Sequence, residues 1–148
     1  MLSMQEKVID TLEELHAFAG EVLASCVKKN SAQVLALSGD LGAGKTAFTK
    51  ELASLLGIPH DITSPTFVIM KSYPIPTHPF FKTLVHIDAY RIEDIDEMRV
   101  LGLAEILSES TNLVCIEWPE KIQALIPEDA FTITISLTGT TRTITYGN

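Results

Sequence analysis

Between residues 12 and 29 the chain reads LEELHAFAGEVLASCVKK, with apolar positions recurring three and four apart, which predicts an amphipathic helix. Thr11 and Glu14 make a capping-box pair at its start, and Lys28 and Lys29 suit the negative end of its dipole. Asn30 and Ser31 break the pattern. QVLAL (33–37) is a short apolar run fit for a buried strand, and KTAFTKELASLLG (45–57) returns to helical spacing with Gly57 as its C-cap. IPHDITSPT (58–66) is a loop by composition, FVIMKSY (67–73) a strand, and PIPTHPF (74–80), with three prolines, a stiff surface connection. TLVHID (83–88) and NLVCIE (112–117) are buried-strand candidates that end in acids. EDIDEMRVLGLAEILSES (93–110) between them reads as helical with a break near Gly102. AFTITISL (130–137) and TRTITY (141–146) alternate apolar and polar residues across a turn at Gly139, which predicts a hairpin with one wet face.

One stretch belongs to neither period. GDLGAGKT (39–46) places three glycines, a lysine and a threonine between the QVLAL strand and the following helix. Gly39, Gly44, Lys45 and Thr46 fit G-x-x-x-x-G-K-[ST]. Glycines let backbone N–H groups approach phosphate oxygens without a side chain in the way, and the helix that starts there adds its positive dipole end. Lys45 would reach the β- and γ-phosphates and the Thr46 hydroxyl would coordinate Mg²⁺. Candidate nucleotide contacts therefore run from Gly39 through Asp40, Leu41, Gly42, Ala43, Gly44, Lys45 and Thr46 to Ala47. The fold class that follows is α/β: a P-loop NTPase-like sandwich with a mixed central sheet, helices on both faces and a C-terminal β-hairpin. Ligands of such sheets bind at the carboxyl ends of the strands.

The chain's 148 residues are expected to form a single domain, 1–148, with 46% hydrophobic and 20% charged residues, an ordinary globular balance. Neither a secretory leader nor an apolar run of roughly 18 residues is visible, so no membrane role and a cytoplasmic location are expected. Cys26 and Cys115 lie far apart without metal-ligand spacing and read as buried thiols. The formal net charge is −8, and the only arginines are Arg91, Arg99 and Arg142. Nucleic-acid backbones are gripped by clustered Lys and Arg, so no direct grip on nucleic acid is expected.

A site that hydrolyses nucleotides also needs acids at the ends of neighbouring strands. Asp88 and Glu117 are placed beside the loop if their strands flank QVLAL. Asp88 suits the rigid shell of Mg²⁺, and Glu117 has the reach to orient or deprotonate a water or a substrate hydroxyl. Either acid would otherwise cap the next helix. Thr66 fits a segment that senses the γ-phosphate, or, with Ser64 beside Pro65, plain turn formation. His86 shares a sheet face with Asp88 and fits a site histidine or a satisfied core histidine. Glu93, Asp94, Asp96 and Glu97 read as a solvated first helical turn, with partner docking as the sharper alternative. Trp118 leaves the strand beside Glu117, either as core or close enough to a nucleotide to report on it.

With GDLGAGKT (39–46), SPTF (64–67), HIDAYR (86–91) and IEWPEK (116–121) in this order and spacing, the chain resembles the TsaE (YjeE) family across most of its length. The resemblance implies a small ATPase of the bacterial threonylcarbamoyladenosine machinery, binding ATP/ADP with Mg²⁺, with weak activity alone and stimulation by partners. Those partners are the TsaB–TsaD pair, which places threonylcarbamoyl on adenosine 37 of tRNAs reading codons that begin with A; hydrolysis by the TsaE subunit resets the assembly. The resemblance implies phosphate and Mg²⁺ roles for Lys45 and Thr46, a Walker-B-like role for Asp88, catalysis by Glu117 and a switch role for Thr66. The metal candidates are Thr46, Asp88 and Glu117, the catalytic candidates Glu117, Lys45 and Thr66, and Trp118 joins the nucleotide contacts.

Two other readings compete. A small metabolite kinase needs lid arginines over the phosphates, for which Arg91 is the available residue. A regulatory GTPase generally carries an N-K-x-D stretch, and this sequence has none.

Overall fold

A computed structural model describes residues 4–40, 42–59, 61–65 and 67–148. Among the described residues seven strands form one mixed sheet: β1 (Gln5–Ile9), β2 (Gln33–Gly39), β3 (Met70–Pro74), β4 (Thr83–Asp88), β5 (Asn112–Glu117), β6 (Phe131–Thr138) and β7 (Thr141–Gly147). Their spatial order is β1-β7-β6-β2-β5-β4-β3. The four central strands, β6, β2, β5 and β4, run parallel, while β7, β1 and β3 add antiparallel edges. The chain therefore has the expected α/β class, with the hairpin β6–β7 turning at Gly139, φ 63°.

Helices α1 (Leu12–Ser25) and α2 (Lys45–Leu55) cover one face. They meet through Phe18 and Phe48, both fully buried with ring centroids 5.8 Å apart, over Leu35, Leu37 and Leu113 of the sheet. Truncating either ring would cost about 3–5 kcal/mol, because the cavity left adds to the lost transfer energy. The other face is covered by α3 (Asp96–Val100), α4 (Leu103–Ser108) and a 3₁₀ segment (Pro119–Leu125), with Met98, Leu103 and Ile122 packed on Val85, Ile87, Val114 and Ile116. The break between α3 and α4 falls on Gly102, φ 78°, as its position in the sequence predicts. Among the described residues no helix is long and apolar enough to cross a membrane.

Several boundaries differ from expectation. Helix α1 ends at Ser25 rather than Lys29; Ser25 Oγ and Cys26 N donate to the carbonyls of Val22 (2.7 Å) and Leu23 (3.2 Å), closing the last turn. Lys29 instead pairs with Asp129 at 2.6 Å. The capping box is present, but Glu14 Oε1 accepts from the backbone N–H of Asp10 (3.3 Å), while Thr11 Oγ1 accepts from Glu14 N (3.1 Å). FVI (67–69) is not strand: Phe67 is 86% exposed and Ile69 adopts φ 69°, so β3 starts at Met70. The strand β1 and the 3₁₀ segment were not expected.

The strand order also corrects the placement of the acids. NLVCIE lies directly beside QVLAL, but TLVHID is one strand further out, and β6 takes the other side of β2. Asp88 and Glu117 nevertheless meet, because they are register partners at the ends of β4 and β5.

Candidate functional site

β2 turns into the glycine loop at Gly39, φ 143°. Gly39 is the register partner of Ile135 on β6, and a Cβ built there would lie 2.3 Å from the Ile135 carbonyl oxygen. Only glycine lets β6 stay paired with β2 where the chain leaves the sheet. Gly44, φ 117°, ends the loop; a Cβ there would lie 2.9 Å from Nε of Arg142. Helix α2 then starts at Lys45 with no side-chain cap, so the positive end of its dipole opens onto the cleft.

Lys45 is 5% exposed. It folds back over the loop, donating to the carbonyls of Gly39 and Asp40, the latter at 3.1 Å, with its ammonium 4.1 Å from the centroid of the Trp118 ring. Burial lowers its pKa, while the carboxylates of Glu117, Glu120, Asp88 and Asp40 act in the opposite direction. Among the described residues it has no ion pair. It is a cation held by carbonyl oxygens and a π face, arrangements an incoming anion can replace.

The acids stand opposite. Thr46 Oγ1 lies 3.0 and 3.2 Å from the two carboxylate oxygens of Glu117. A carboxylate accepts, so the hydroxyl proton points at Glu117 and the lone pairs of Oγ1 remain for a cation. Glu117 is 3% exposed, and its Oε2 is 2.5 Å from Nε2 of the fully buried His86. Asp88, 4% exposed, accepts from Tyr90 N (3.0 Å) and Ser64 Oγ (3.2 Å).

Among the described residues, two with side chains hold left-handed backbone here: Trp118, φ 59°, directly after Glu117, and Ile69, φ 69°, whose carbonyl accepts from Asp88 N at 2.8 Å. Each such conformation costs about 1–3 kcal/mol and persists where the surroundings over-determine it. Both adjoin the acids.

The end of the glycine loop, the start of α2 and the two acids line a cleft of about 490 Å³ at the carboxyl ends of the strands. Gly42, Gly44, Lys45, Thr46 and Ala47 form one wall, Asp88, Glu117 and Trp118 another. The Trp118 and Tyr90 rings lie 5.0 Å apart at the rim, and Arg91 sits 4.8 Å over the exposed Phe67 ring.

The oxygen donors Thr46, Asp88 and Glu117 are the kind Mg²⁺ takes. Among the described residues no group of three or more His, Cys, Asp and Glu is assembled to hold a metal by itself.

The family model for threonylcarbamoyl adenosine biosynthesis protein TsaE matches residues 9–144. The chain belongs to the TsaE family. A protein of Borreliella burgdorferi named tRNA threonylcarbamoyladenosine biosynthesis protein TsaE is 37% identical over 113 residues, covering 76% of this chain and 79% of that protein. The protein of that name from Rickettsia bellii is 36% identical over 138 residues, 93% of this chain and 89% of its own length. The crystal structure of Bacillus subtilis YdiB superposes with a TM-score of 0.74 at 32% identity, covering 99% of this chain and 86% of that one.

Of the candidate site residues, the structure brings Gly42, Gly44, Lys45, Thr46, Ala47, Asp88, Glu117 and Trp118 to one cleft, which Ser64, Tyr90 and Arg91 also line. Gly39 and Asp40 lie beneath it as carbonyl partners of Lys45, and Ala43 is buried. Leu41 and Thr66 lie outside the described residues. The acid run at Glu93, Asp94, Asp96 and Glu97 is solvent-exposed around the start of α3, with Glu97 accepting from Glu93 N and Asp94 N.

Sequence reasoning missed Arg142. Its Nε donates to the Ala43 carbonyl at 2.9 Å, and it lines the cleft from the start of β7. The guanidinium also has two NH₂ groups, and among the described residues no ion pair engages them. The contact spans 99 positions, so no local pattern announces it.

Proposed function

We propose that this chain binds ATP/ADP with Mg²⁺ in the cleft and hydrolyses ATP as a cytoplasmic subunit of tRNA threonylcarbamoyladenosine biosynthesis. In this reading it acts with TsaB and TsaD, resetting their complex between turnovers, has weak activity alone and does not grip tRNA itself. Its family membership supports the tRNA-modification role, and the net charge of −8 suits a subunit without a nucleic-acid surface.

The observation that carries the ATPase reading is the Thr46 hydroxyl set against the Glu117 carboxylate at the first turn of α2, with Lys45 one residue away. With phosphates in the loop, the Lys45 ammonium exchanges the Gly39 and Asp40 carbonyls for phosphate oxygens. Thr46 Oγ1 and Asp88 would hold the ion, which would supply positive charge against that of the phosphates. Glu117 orients a water and accepts its proton. Arg142 contributes a second cation from the β6–β7 side, opposite the acids.

The sequence contains one tryptophan, so titration with ADP while following Trp118 fluorescence tests the site directly. Saturable change that tightens with Mg²⁺ supports it; no change, together with no binding by equilibrium dialysis, refutes it.

A further inference from the structure

His86 lies in the middle of β4, fully buried, with Cys115 on β5 and Lys71 on β3 as register partners. Its two ring nitrogens are in unequal positions. Nε2 is 2.5 Å from Oε2 of Glu117, whereas the buried Nδ1 has no hydrogen-bond partner among the described residues. An orphaned polar atom in a core opposes folding, and an apolar residue of similar size would avoid it. Among the described residues the one hydrogen bond its side chain makes is to Glu117.

The carboxylate oxygen accepts, so Nε2 carries the hydrogen of this bond, and Nδ1 is left without a partner among the described residues. Glu117 is then clamped by two donors, Nε2–H of His86 and the hydroxyl of Thr46. A glutamate left with neither would sample several rotamers, and the misalignment would fall directly on the bond it makes to water.

We propose that His86 is a positioning residue: through Nε2 it fixes the Glu117 carboxylate against Thr46 before nucleotide enters, and its unpaired Nδ1 is the consequence of that placement. The proposal rests on the reading of Glu117 as the acid of an ATP-hydrolysing site.

His86→Gln and His86→Asn separate positioning from packing. A glutamine amide nitrogen reaches the place of Nε2; that of asparagine reaches only the place of Nδ1. In the complex with TsaB–TsaD, H86N lowers kcat by about tenfold or more, with KM for ATP and Mg²⁺-free ADP affinity within about twofold of wild type. H86Q recovers most of kcat. Equal loss in both variants, or ADP affinity falling in step with kcat, overturns the proposal. The wild-type chain supplies a readout independent of activity and of how the variants fold. Imidazole ¹⁵N spectra must show His86 as the Nε2–H tautomer, with the ¹³C carboxylate signal of Glu117 coupled to it. An Nδ1–H tautomer overturns the clamp. Wild-type protein that shows this tautomer yet never hydrolyses ATP refutes the ATPase reading and leaves the clamp standing; hydrolysis with the other tautomer does the reverse.

Discussion

Thr46 and Glu117, 71 positions apart in sequence, meet with the threonine hydroxyl 3.0 Å from one carboxylate oxygen and 3.2 Å from the other. Thr46 is the second residue of α2 and Glu117 ends β5; the parallel pairing of β5 with β2 brings the two together, Leu37 standing opposite Glu117. The contact joins the glycine-loop half of the cleft to the acid half.

Glu117→Gln keeps the shape and a hydrogen-bond acceptor for Thr46 but removes the carboxylate proposed as the base. The account predicts a kcat lower by about 10²–10⁴-fold with ADP affinity nearly unchanged. Steady-state phosphate release and ADP titration check it; an equal loss of affinity would assign Glu117 to binding instead.

Arg142→Ala removes the cation on the β6–β7 side without touching the acids. A hydrogen bond to a charged group is worth about 1.5–3 kcal/mol, so ADP affinity should fall by about 10–100-fold. Arg142→Lys should recover only part of it, since a lysine cannot keep the Ala43 carbonyl and a ligand oxygen in one planar fork. Calorimetric titration of both variants is the check.

Lys45 gives a pH signature. Its folded-state pKa lies below 10.5 because burial disfavours the ammonium form. Between the folded and unfolded values the unfolded chain binds more protons, so this group makes stability rise as pH approaches 10.5. Lys45→Met has no such group. In urea titrations without nucleotide, the stability of wild type relative to Lys45→Met should increase with pH in that window; a decrease would mean that the carboxylates, not burial, dominate.

Gly39→Ala places a methyl 2.3 Å from the Ile135 carbonyl at φ 143°. Strain and overpacking together should cost at least about 2 kcal/mol. The melting temperature should fall even without nucleotide, whereas a variant as stable as wild type would show that β6 and β2 separate there freely.

What the sequence made legible was local. The glycine loop, α2, the apolar runs of β4 and β5 and the break at Gly102 all follow from residue types within a few positions. β1 reads QEKVI and has no strong period of its own; it is a strand because β7, at the other end of the chain, pairs with it from Gln5↔Tyr146 to Ile9↔Arg142. FVI is apolar enough to suggest strand, yet left-handed Ile69 delays β3 so that its carbonyl can take the Asp88 N–H. The acids were identified by type, but which strand lies next to the loop is a matter of topology. The partnership of Arg142 with Ala43 and that of His86 with Glu117 depend on that topology too, so neither could be read from spacing.

ATP turnover by the purified chain, alone and then with TsaB–TsaD, is the most direct test of the central claim. The account predicts slow phosphate release alone, a sharp rise with the pair, and loss of both in Glu117→Gln. No release in any mixture, or release unchanged by Glu117→Gln, would contradict it.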